Sequence, residues 1–167
     1  MTKYFLNRHN SFQVTVWAGV IAGISSTLIQ ILLWLIFTDD FPAILFRDAR
    51  LTAALVLGVT ALPPPTTFDA GVMLAATLIH FTLSIAYAAM LQALASRLHA
   101  ISALWAGIAC GIALYLVNLY GFTLIFPWFE QARGWIALVA HVAFGVTAIL
   151  VYRWTNISNE KSRADAH

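Results

Sequence analysis

Two histidines stand inside runs that are otherwise apolar enough for a bilayer, His80 in "TLIHFTLSIAYAAM" and His141 in "IALVAHVAFG". An imidazole can carry a proton, ligate a metal or hold a hydrogen bond at each nitrogen. Two amides, Gln30 and Asn118, lie in comparable runs. Counting inward along each run at about 1.5 Å per residue puts Gln30 about 10 Å deep, Asn118 about 12, His141 about 10 and His80 about 15. A polar group left unpaired in hydrocarbon costs several kcal/mol, and four at similar depth are best satisfied by one another. Gln30, His80, Asn118 and His141 are therefore expected to form one buried polar layer.

Three chemistries fit such a layer. It can be a hydrogen-bonded set that only fixes helix pairing. It can mark a proton or small-solute pathway, since ionisable residues at membrane depth tend to do so, although no Asp or Glu lies inside an apolar run. Or His80 and His141 can be the axial ligands of a b-type haem, with Arg50 and Arg133 as outer-face contacts for its propionates. Zinc is a poorer fit, because no carboxylate or thiolate shares the depth and two imidazoles make an incomplete tetrahedral site. Ser84 near His80 lacks a third group to orient the histidine as a base, and no phosphate-cradling loop or zinc-protease helix occurs. The chain reads as non-enzymatic.

The elements that must hold these residues follow from composition. At 61% hydrophobic and 10% charged residues, with a mean hydropathy of +0.83, the chain is an all-α integral membrane protein. Crossing a bilayer takes about 20 apolar residues, and the stretches 14–37, 70–96, 101–126 and 134–152 qualify as uncleaved spans of a single domain, residues 1–167. "LTAALVLGVTAL", residues 51–62, is too short to span and reads as an interfacial or re-entrant helix between spans one and two. Placing both termini in the cytoplasm leaves Lys3, Arg8, Arg97, Arg153, Lys161 and Arg163 inside, against Arg47, Arg50 and Arg133 outside, as the positive-inside bias requires. The tail 155–167 is then cytoplasmic, and its mixed charges suit lipid head groups, not nucleic acid.

The chain also repeats itself. "WAGVIAGISSTLIQ" (17–30) aligns with "WAGIACGIALYLVN" (105–118), pairing Gly19 with Gly107, Gly23 with Gly111 and Gln30 with Asn118. "FPAILFRDAR" and "FPWFEQAR" follow in turn, then a second span with one histidine each. Two duplicated helical hairpins are expected, parallel and related by a pseudo-two-fold axis along the membrane normal. Glycines four apart let helix backbones approach, so Gly19, Gly23, Gly107 and Gly111 should face neighbouring helices.

The segments "HFTLSIAYA", "WAGIACGIALYLVNLYGFTLIFPWFE" and "AHVAFG" resemble those of small bacterial inner-membrane proteins of the YagU-like group, relatives of which sometimes carry a sodium:proline symporter label. The resemblance implies a four-helix inner-membrane protein linked to envelope or acid stress, with no established ligand. Asn118 stands where the namesake of the group has a histidine, which weakens any metal reading. The expected function is that of an accessory or assembly subunit of a larger membrane complex, or a small stress-related component. Its partners would be membrane lipids and other membrane subunits or further copies of itself.

Overall fold

An apolar run in hydrocarbon can satisfy its backbone only within itself, and helix is the result. The computed structural model describes the backbone of residues 2–95 and 100–164, and the side chains of 12–94 and 102–155. It contains α1 (Thr2–Phe37), α2 (Ala43–Leu57), α3 (Ala70–Ala95), α4 (Ala100–Leu116) and α5 (Trp135–Ala164), with no strand among the described residues. Four segments are long and apolar enough to cross a membrane: Phe12–Phe37, Ala70–Leu94, Ser102–Leu124 and Trp135–Thr155. Two helices overrun the expected spans, α1 starting at Thr2 and α5 running to Ala164, so most of the expected tail continues the last helix. Arg97 and residues 165–167 lie outside the described residues, as do the side chains of Lys3, Arg8, Lys161 and Arg163.

The short second helix begins earlier than 51 and ends before 62. Charges in "FRDAR" suggest a corner, yet Arg47 and Asp48 neutralise each other at 2.7 Å and the helix runs through them. Gly58, at φ 79°, stops it, a conformation glycine takes without strain. A 3-10 turn, Val59–Ala61, follows, and then three prolines that cannot continue a helix. Asp69 opens α3 by accepting the Val72 N–H at 2.9 Å.

α1 packs along both α3 and α5, α4 packs along α5, and α3 also touches α5 across the bundle, whereas α3 and α4 scarcely meet. The order around the bundle is therefore α3, α1, α5, α4, with a loose seam between α3 and α4. Toward the end where α3 passes to α4, Ala22, Leu91, Ala103, Phe144, Ala148 and Ile149 form a close-packed core. At the opposite end the two connectors meet: the Trp128 indole donates to the Leu51 carbonyl at 3.0 Å. There α2 packs on α3 through Ala49, Ala53, Val72 and Ala76.

Candidate functional site

Between the packed end and the capped end the four long helices and α2 border a half-open cavity of about 610 Å³. Gln30, His80, Asn118 and His141 all line it, together with Thr27, Ser84 and Tyr87. From α2, Asp48 and Thr52 contribute to its wall. Most of the remaining lining is aliphatic or aromatic, as in sites that hold small molecules, whose volumes run about 300–1,000 Å³.

His80 sits where α3 crosses α1. Its Nε2 lies 3.3 Å from the Gly23 carbonyl and 3.3 Å from Thr27 Oγ1. Gly23 makes this approach possible, since a Cβ there would come 3.2 Å from that nitrogen and 2.9 Å from Ser84 Oγ. A carbonyl can only accept, so in the tautomer that bonds Gly23 it is Nε2 that carries the proton. The other nitrogen of the neutral ring then presents a lone pair, with no partner among the described residues.

His141 is arranged differently. Its Nδ1 donates to the Ala137 carbonyl at 2.7 Å, which leaves Nε2 as an acceptor for the Asn118 amide at 3.2 Å. Asn118 Oδ1 in turn accepts the Tyr87 hydroxyl at 2.7 Å. Tyr87, Asn118, His141 and Ala137 thus form a chain of three hydrogen bonds, each from a donor to an acceptor. An edge of Tyr115 closes against the imidazole, ring centres 5.7 Å apart.

Asn118 reaches His141 from Val117–Gly121, a π-helical stretch that continues α4. Such widened turns free backbone carbonyls from the regular ladder. The Leu119 carbonyl is one acceptor used this way, taking Arg133 Nε at 2.8 Å.

The four expected polar side chains line one cavity, and of them Asn118 and His141 are bonded to each other. His80 and His141 share the cavity but make no hydrogen bond or ring contact with each other, and Gln30 has no hydrogen bond among the described residues. The two arginines are also committed elsewhere. Arg133 pairs with Glu130 at 2.7 Å, donates to Thr123 and lies over the Tyr120 ring. Arg50 is buried and donates to the Ala61 and Thr67 carbonyls at 3.4 and 3.5 Å, leaving its Nε without a partner. Haem through His80 and His141 would have to displace the Asn118 amide from His141 Nε2, whereas His80 Nδ1 holds no bond among the described residues.

Three contributors escape the sequence pattern. Tyr87 shares a helical face with Thr77, His80 and Ser84, which marks it as inward-facing without showing that it reaches α4. Thr27 is a common residue in membrane helices. Asp48 enters only because α2 starts early. The four glycines do face neighbouring helices: Gly19 and Gly23 meet α3, and Gly107 and Gly111 meet α5. Among the described residues no group of three or more His, Cys, Asp or Glu could hold a metal ion. Compared with family models, with curated proteins and with solved structures, the chain finds no match in any of the three.

Proposed function

We propose that this chain is a non-enzymatic protein of a bacterial inner membrane, termini in the cytoplasm, that holds a small lipid-soluble molecule between its helices. In this reading it serves a larger membrane complex or a stress response as an accessory component, as the YagU-like resemblance implies. Its two hairpins are duplicated copies whose matching glycines each face the second helix of their own hairpin. The observation that carries the reading is the cavity, apolar over most of its wall and provided with polar atoms that the protein itself leaves unmatched, at Gln30 and His80. Permeation is less well supported, because the packed core at the α3 to α4 end blocks a continuous path.

Native mass spectrometry of protein released from nanodiscs tests this. Wild-type protein is expected to retain one defined small molecule, and Ala140→Leu, which projects into the cavity, is expected to lose it while keeping its helical circular dichroism. Retention of bulk phospholipid alone, equal in both proteins, would overturn the reading.

A further inference from the structure

The cavity wall specifies more than apolarity. Trp34, Phe81, Tyr87, Phe122, Phe129 and Phe144 all line it, and aromatic side chains at this density favour an aromatic guest, through edge-to-face and offset contacts. Of the two histidines in its wall one is committed at both nitrogens and the other keeps an acceptor, while the Gln30 amide keeps its donors and its acceptor among the described residues. His141 is satisfied at both nitrogens, whereas His80 donates through Nε2 toward Gly23 and leaves Nδ1 with only a lone pair. That nitrogen is not sealed away, since the only buried side-chain nitrogen or oxygen without a partner among the described residues is Arg50 Nε. A guest that pairs with His80 Nδ1 must bring an O–H or N–H.

The route in is also visible. α3 and α4 pack together only loosely, and the hydrogen bond from Tyr87 to Asn118 ties α3 to the π-helical continuation of α4 across that seam. In a bilayer this seam faces lipid, so a guest dissolved in the membrane need not pass through water.

We propose that the cavity takes a lipid-soluble phenol, a hydroxylated aromatic ring with an apolar tail, which enters from the bilayer between α3 and α4 and donates its hydroxyl hydrogen to His80 Nδ1. This rests on the reading of the cavity as a binding site. The Tyr87–Asn118 bond is the latch on the seam, and the apolar tail lies along the aromatic wall.

Full-length protein in nanodiscs, titrated with tritiated 4-decylphenol and with tritiated 4-decylanisole, tests the proposal. The two probes differ in the donor, so nanodiscs without protein supply the correction for partitioning. Saturable binding of the phenol is expected, with the ether weaker by about tenfold, the equivalent of one buried hydrogen bond of about 1.4 kcal/mol. In His80→Leu the preference should vanish. Should that variant not fold, Tyr87→Phe provides the second measurement: it removes the latch and should speed both binding and release several-fold while moving Kd much less. Equal binding of phenol and ether to the wild type would overturn the phenol and leave the cavity reading standing. Saturable binding of neither probe would overturn both. Unchanged rates in Tyr87→Phe would overturn entry through the seam.

Discussion

The hairpin of α1 and α3 and the hairpin of α4 and α5 each carry two glycines four apart, then an amide, then a histidine, yet they pack differently. In the second, glycine lies on both helices. Gly107 and Gly111 face Gly145 and the backbone of His141 and Val142, so the two chains touch main chain to main chain. In the first, Gly19 and Gly23 face Ser84, Ile85 and His80, and the contact near Gly23 is with side chains. The histidines follow suit: His141 is locked by its own helix and by Asn118, while His80 is held at one nitrogen only. Gln30 occupies the position that corresponds to Asn118, but α1 stays α-helical there and no π turn swings its amide onto a histidine. One hairpin has become the rigid wall of the cavity, and the other supplies the adaptable side.

Filling the glycine contacts breaks this comparison most severely. A Cβ at Gly111 would stand 2.5 Å from the His141 carbonyl oxygen and from Val142 Cα, and backbone cannot step aside. Gly111→Ala is expected to cost about 3 kcal/mol or more, the upper end of overpacking. Gly19→Ala, 2.6 Å from Ile85 Cα, should cost nearly as much. Gly23→Ala meets Ser84 Oγ and His80 Nε2, which can rotate, and should cost about 1 kcal/mol. Steric-trapping unfolding in bicelles ranks the three, and a Gly23→Ala cost equal to that of Gly111→Ala would erase the distinction between the hairpins.

Arg133 comes next. It holds the π-helical stretch by its bonds to the Leu119 carbonyl and Thr123, and is itself held by Glu130. Arg133→Ala should cost about 2 kcal/mol, within the range for charged hydrogen bonds. It should also loosen Asn118, seen as faster hydrogen exchange across 117–121 with little change in α1.

The hydrogen bonds themselves should couple in pairs. In a double-mutant cycle Asn118→Leu and His141→Leu are expected to interact by about 0.6 kcal/mol and at most about 1.7, the span of measured membrane hydrogen bonds. His80 and His141 bond to different helices but share the cavity, so the coupling of His80→Leu with His141→Leu should be smaller than that of the bonded pair. Coupling between the two histidines as large as that of Asn118 with His141 would show a direct link that their bonding does not contain.

What was legible in the sequence divides along the same line. Long apolar runs reveal spans because hydrocarbon leaves the backbone no alternative, and glycine spacing reveals which faces touch. His80 and His141 were legible as inward-facing for the cost of exposing them to lipid. Their partners were not. Whether the Asn118 amide reaches an imidazole on another helix depends on a π turn, and that turn accompanies the Leu119 carbonyl's bond to Arg133, a residue on the far side of the connector. The start of α2 was hidden for a related reason: a charge pair that satisfies itself locally looks, in one dimension, like a solvated corner.

The smallest expected effect lies at the edge of the cavity, on α2. Asp48 pairs with Arg47 at 2.7 Å and keeps 18% of its side chain exposed. Burial raises its pKa above the ordinary 3.8, and the charge and hydrogen bond of Arg47 offset the rise only in part. Between the ordinary value and the raised one the folded chain holds a proton that the unfolded chain has released. Stability should therefore climb as pH falls through the raised value and level off below 3.8. Asp48→Asn should remove that climb. At neutral pH its effect should stay below about 1 kcal/mol, since losing a partly exposed ion pair is set against relief from burying a charge. The rigid hairpin contributes no such carboxylate to the cavity wall, so a pH dependence that survives in Asp48→Asn would have to come from elsewhere and would remove α2 from the titrating side of the site.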